Sequence, residues 1–240
     1  MNTSPCTTGL TEAQARNEIC RVGKSLFDRG YAHATAGNIS VRLGEAAGGG
    51  MLITPGDACL GFLDPDALAR IDAGGIQTGG SRASKTIALH AGIYRAAARF
   101  DSNVQCVIHT HATHCVALSL RPGGPELLPA LTPYFVMKVG RVPRIGYTRP
   151  GSPPGVDEVE RTIARYGEGG RPIRAVMLDR LGPNVWHETP AAAMAVLEEL
   201  EETARLMLLL SSAGAIPPES PEPLTGPQVD ELRAAFAARW

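Results

Sequence analysis

Nine residues, Asn103 to His111, constrain this chain more than any other stretch. Val104, Cys106 and Ile108 fall on one side of an extended backbone, and Gln105, Val107, His109 and His111 fall on the other. The alternation predicts a strand, and it places two imidazoles on one face about 6.6 to 7 Å apart at the backbone. Two ring nitrogens at that span can converge on one metal ion, although the same pattern also describes two partly exposed strand histidines.

The flanking sequence predicts helices and strands in mixed order. Thr11 stands three residues ahead of Gln14 as a capping box, and Ala15, Ile19, Val22 and Leu26 form the apolar stripe of a first helix closed by Gly30. Asn38 to Arg42 and Met51 to Thr54 read as an antiparallel hairpin across the glycine-rich turn Gly44 to Gly50. Ser84 to Phe100 reads as a helix opened by the Ser84 side chain, with Leu89, Ile93, Ala96 and Phe100 on one face. Arg174 to Leu178 and Asn184 to His187 are further strands. Thr189-Pro190 then starts a helix from Ala191 to about Leu210. A proline-rich connector at 214–227, densest in Ile216 to Pro227, precedes a last helix from Gln228 to Arg239. The 240 residues suit one α/β unit with a single generous core.

Charge and cysteine usage remove several function classes. A formal net charge of -1 supplies no field to draw the chain to nucleic acid or an anionic membrane, so any anion site must be local. No apolar run approaches the ~20 residues of a membrane span, and the first residues lack a basic segment followed by an apolar one, so a cytoplasmic location is expected. Cys6, Cys20, Cys59, Cys106 and Cys115 form no CxxC pair, which argues against a thiolate zinc site or a disulfide framework.

Two further signals concern anions. Ala36-Gly37-Asn38 lies between a helix and a strand, where a missing side chain lets backbone N–H groups approach an anion and Asn38 adds an amide donor. Ser84-Lys85 at a helix start offers a hydroxyl, an ammonium and the positive end of the macrodipole, a clamp for phosphate or carboxylate. An ordinary turn and a capping serine beside a solvated lysine are the simpler readings of the same residues. His90, inside a helix with apolar neighbours, reads as a satisfied core histidine, and His114 as a second sphere partner or the start of the next helix.

The order of these signals is similar to that of the class II aldolase/adducin family over nearly the whole chain. The segments SLFDRGYAHATAGNISVRL, ITPGDACLGFLDP, ASKTIALHAGIYRA, VIHTHATH, PALTPYFVMKVGRVP, YTRPG and LEELEETARLMLLL most resemble its 3-oxo-tetronate 4-phosphate decarboxylase branch. The resemblance implies one domain over 1–240, a three-layer α/β/α fold around a central, mostly antiparallel sheet, and a homotetramer with sites between subunits. It implies a divalent metal, zinc foremost, with His109 and His111 as two of three histidine ligands. Gly37, Asn38, Ser84 and Lys85 match positions that hold a phosphate or acid group of a small phosphorylated sugar acid. Tyr134 matches a proton donor that reaches a neighbouring subunit's site.

Three positions depart from that pattern. Thr86 stands where many members have a glutamate base, Leu181 where they have the third histidine, and Asp57 where a threonine or asparagine is usual. His33, His187, Asp57 and Asp179 are the side chains in the sequence that could complete a metal shell. A metal-dependent carbon–carbon lyase, most concretely a decarboxylase, is the leading expectation. A scaffold turned to other lyase or oxygenase chemistry at a two-histidine site, and an inactive sugar-phosphate binder, are the rivals.

Overall fold

The computed structural model describes residues 10–212 and 221–240. Helix α1 (Glu12–Asp28) begins with the predicted capping box: the Gln14 amide donates to Thr11 Oγ1 at 3.2 Å, and the Thr11 amide donates to Gln14 Oε1 at 2.9 Å. Ala15, Ile19, Val22 and Leu26 are fully buried along one side of it. Strands β1 (Asn38–Arg42) and β2 (Met51–Ile53) form the expected antiparallel hairpin.

The remaining elements are β3 (Ala69–Ile71), β4 (Gln77–Gly79), α2 (Ile87–Ala97), β5 (Cys106–His109), α3 (Thr113–Ser119), β6 (Arg144–Ile145), α4 (Pro153–Glu168), β7 (Ala175–Leu178), β8 (Gly182–His187), α5 (Pro190–Ser212) and α6 (Gly226–Phe236). The strands form one sheet in the order β4-β3-β2-β1-β5-β8-β7-β6, in which β6 and β7 run parallel and all other neighbours antiparallel. Period-2 alternation then sorts the side chains. Ile39, Cys106, Ile108 and Val185 pack with α1, α3 and α5, whereas Val107, Val176 and Trp186 pack with α2 and α4. This is the expected three-layer arrangement.

Several boundaries differ from the sequence reading. Helix α2 begins at Ile87, three residues late, because the Ser84 amide donates to Thr54 O and ties that residue to the end of β2. Ser84 therefore lies in the turn before the helix and does not cap it through its side chain. The helix stops at Ala97, short of Phe100. The strand is Cys106–His109, so Val104 precedes it and joins the α2/α4 side, against the alternation. Helix α4 was not anticipated, although Val156, Val159 and Ile163 mark its apolar side. It packs against α2 at Gly92, where an added Cβ would stand 3.0 Å from Val156 Cγ1. Of the proline-rich stretch, 214–220 lies outside the described residues, as does Cys6. Cys20, Cys59, Cys106 and Cys115 are free thiols. Among the described residues no helix is long and apolar enough to cross a membrane.

Candidate active site

The signals for metal and anion meet at one end of β5. Asn38 of β1 and Asn184 of β8 are the direct cross-strand neighbours of His109, so the three side chains form a row on the α2/α4 face. Glycines press the adjoining loops onto the strand end. Gly37 has φ +94°, and a Cβ there would come within 2.8 Å of His109 O; a Cβ at Gly182, φ +146°, would overlap Thr110 O. The resulting cleft of about 230 Å³ is lined by Gly37, Asn38, Ser84, Lys85, His109 and His111, all six positions read from the sequence.

His109 is buried, and its Nδ1 lies 2.9 Å from the Pro183 carbonyl. A carbonyl only accepts, so Nδ1 carries the proton and Nε2 keeps a free lone pair. Burial, with His111 nearby as a second cause, pushes the pKa of His109 down to about 4. Burial likewise lowers that of His111, helped by His33. The two rings stand 5.1 Å apart, centroid to centroid. Two neutral, adjacent imidazoles, that of His109 with its tautomer fixed, are of the kind that could supply two of a zinc shell's four ligands.

The other half is not there. Thr86 and Leu181 line the same cleft and offer no third ligand. The Asp179 carboxylate is held by Arg144 at 2.9 and 3.0 Å. His187 is paired with Cys106, three residues down β5 from His109 and on the opposite face. The ring of His33 is 6.4 Å from that of His111, and Asp57 lies on the cleft wall. Among the described residues no three His, Cys, Asp or Glu side chains are placed to hold a metal ion together. The donor set therefore does not fit a resident three-ligand zinc.

The donors read from the sequence as an anion clamp are all present on the other wall. Ser84 is buried, with Oγ 2.9 Å from Thr86 Oγ1, and Lys85 is exposed with no ion pair among the described residues. Arg82 and Thr35 also face the cleft and were missed in the sequence, where Arg82, three residues before Lys85, was the available signal. Asp57 brings a negative charge to the same wall, in a left-handed conformation with φ 59°. Tyr134 is 61% exposed just before a single π turn, Phe135–Val139, and is not part of its own chain's cleft.

The two remaining histidines have structural partners. His90 is fully buried with both ring nitrogens hydrogen-bonded, and burial pushes its pKa down to about 3. His114 lies in the first turn of α3. Glu201 of α5 accepts from its backbone amide, from that of Cys115, and pairs with its Nδ1 at 2.8 Å.

Known proteins share both the sequence and the fold. The family model described as the class II aldolase and adducin N-terminal domain matches residues 17–208. A 3-oxo-tetronate 4-phosphate decarboxylase from Cupriavidus necator is 44% identical over 236 residues, covering 96% of this chain and 99% of its own. A protein of the same name from Pectobacterium atrosepticum is 36% identical over 202 residues, 83% of this chain and 86% of its own. The crystal structure of YgbL from Escherichia coli, titled a putative aldolase/epimerase/decarboxylase, superposes with a TM-score of 0.78 at 33% identity, covering 92% of this chain and 99% of that one.

Proposed function

The chain belongs to the class II aldolase and adducin family, and from that premise we propose that it is a lyase that decarboxylates a small phosphorylated 3-oxo sugar acid. The observation that carries the choice of reaction is Thr86 in the cleft wall, its hydroxyl bonded to Ser84. Retro-aldol cleavage needs a base to remove a hydroxyl proton, and a threonine is no base at neutral pH. A β-keto acid loses carbon dioxide with no prior deprotonation: the bond to the carboxylate breaks, and its electron pair moves into the ketone as an enolate. Thr86 is compatible with that path and not with the other.

Each residue then has a task. The backbone at Gly37, the Asn38 amide, the Ser84 hydroxyl and the Lys85 ammonium hold the phosphate, with Arg82 adding charge at the rim. They fix the substrate so that its reacting carbons lie towards His109 and His111. Tyr134 from a neighbouring copy in a homotetramer delivers the proton that quenches the enolate. Its exposure, away from the cleft of its own chain, supports that placement. We assign no step to zinc, because the donors at Thr86 and Leu181 are missing.

Supplying a 3-oxo-tetronate 4-phosphate and, separately, sugar 1-phosphate aldol substrates to the purified protein tests this reading. Carbon dioxide from the first and no aldehyde from the second is the expected result; aldehyde release, or no carbon dioxide in metal-supplemented buffer, overturns it. Phosphate binding without turnover of either substrate would favour a binder built on the same scaffold, a reading that Leu181 in the cleft also fits.

A further inference from the structure

His90 is not needed for packing alone. It sits one turn into α2, between the apolar Leu89 and Ile93, where an aliphatic side chain would serve the core as well. Instead a fully buried imidazole reaches the polar end of β1 with both nitrogens. Nε2 is 2.5 Å from Asn38 Oδ1, and Nδ1 is 2.7 Å from Ser40 Oγ. Behind them, Ser40 Oγ lies 2.8 Å from Tyr94 Oη, whose single hydrogen also has the carbonyls of Ser40 and Gln105 within reach at 3.0 and 3.2 Å.

The protons in this row follow from Asn38 Oδ1 facing the ring, with Tyr94 donating to Ser40 Oγ at the far end. An amide oxygen only accepts, so Nε2 carries the hydrogen and donates to Asn38 Oδ1. Nδ1 is then the acceptor, and the Ser40 hydroxyl donates to it. Turning the Asn38 carboxamide over would set its NH2 against the Nε2–H, two donors face to face in a buried setting, unless the His90 tautomer and the Ser40 and Tyr94 hydroxyls all reversed together. The amide is thereby held in one orientation. Its Nδ2 has no protein partner among the described residues, while Asn38 lines the cleft together with Gly37 and Ser84.

We propose that His90 is a positioning residue: backed by Ser40 and Tyr94, it locks the Asn38 carboxamide with its NH2 presented to the phosphate of the substrate. This rests on the phosphate cradle of the preceding section. A donor fixed in advance costs no ordering when the anion arrives, whereas a freely turning amide would spend half its orientations offering an oxygen to a phosphate.

The test is calorimetric titration with inorganic phosphate, together with KM and kcat on the decarboxylation substrate, for the intact protein and a small set of variants. Asn38→Ala should weaken phosphate roughly tenfold or more, the worth of one hydrogen bond to a charged group. His90→Phe should weaken it by a similar factor, and the double variant Asn38→Ala/His90→Phe should be no weaker than Asn38→Ala alone, since both remove one interaction. His90→Gln can place an amide N–H where Nε2 was and should stay within about threefold of the parent, whereas His90→Asn, which replaces only the Nδ1 contact, should behave like His90→Phe. KM should rise with kcat nearly unchanged, the mark of lost uniform binding.

Equal weakening by His90→Phe in the parent and in the Asn38→Ala background would show a merely structural role and overturn the proposal. So would unchanged phosphate affinity in both His90→Phe and His90→Asn. If His90→Phe fails to fold, the Gln and Asn variants carry the comparison, and equal affinity in those two overturns it. Phosphate affinity untouched by both Asn38→Ala and Lys85→Ala would mean that the cradle itself is wrong. Weakening by those two with none from His90 variants would remove this inference alone.

Discussion

The two halves of the cleft, on either side of His109, differ in completeness. On the β1 side a glycine turn, an amide, a hydroxyl and an ammonium with no ion pair among the described residues face one space, and a buried imidazole stands behind the amide. On the β8 side two imidazoles face a leucine and a threonine, and the buried Asn184 amide has no partner among the described residues. Anion recognition asks for donors from several short segments, each contributing a fraction. A catalytic zinc asks for three ligands at fixed distances, so the loss of one donor removes far more of its function.

The largest expected effect tests the deficient half. Thr86→Glu with Leu181→His should tighten zinc binding by about ten-thousandfold, taking roughly 3 kcal/mol for each of the two added ligands from the 10–16 kcal/mol of a four-ligand site. Competition with a chromophoric chelator reads it, and an unchanged affinity would show that more than these two positions separates the halves. Lys85→Ala tests the complete half: kcat/KM should fall about tenfold to a hundredfold, with the melting temperature unchanged because the side chain is exposed.

Acid should strike both halves through their buried histidines. The folded pKa values of His109 (about 4) and His90 (about 3) lie below the ordinary 6.5, so the unfolded chain binds protons first as pH falls. Stability should be independent of these groups above pH 6.5 and drop by about 1.4 kcal/mol per pH unit for each between pH 6 and 5. Urea midpoints at pH 7.5, 6 and 5 check this, and His90→Gln should remove one of the two contributions. The smallest effect is at the rim. Asp57→Asn removes a like charge from the anion wall and should tighten phosphate roughly fivefold, about 1 kcal/mol for one charge near 4 Å in water, less at high salt. No change would place that carboxylate out of reach of the anion.

Local signals were legible wherever one short segment carried its own constraint. The Thr11 capping box, the β1–β2 hairpin and the Thr189-Pro190 helix start depend on neighbours a few residues away, and each formed as read. The residues that line the cleft were legible for the same reason: Ala36-Gly37-Asn38, Ser84-Lys85 and His109-Thr110-His111 are compact patterns. The three-residue strands β3 and β4 and the two-residue β6 were not, because such short elements are held by what they pair with, and helix α4 went unread although its apolar side, Val156, Val159 and Ile163, is present in the sequence. The start of α2 was misplaced because a hydrogen bond from Ser84 to Thr54, thirty positions away in sequence, ended the turn later than the side chains suggested.

By itself the sequence determined which residue types this protein could bring to a reaction: two imidazoles, a serine and lysine beside a glycine turn, a threonine and a leucine. Composition at a position is fixed by covalent order and needs no fold. Only the tertiary structure decided which of them meet. It set His187 on the far face of the sheet, tied Asp179 to Arg144, and turned a core histidine towards Asn38, because register and packing, which join residues distant in the chain, determine who faces whom.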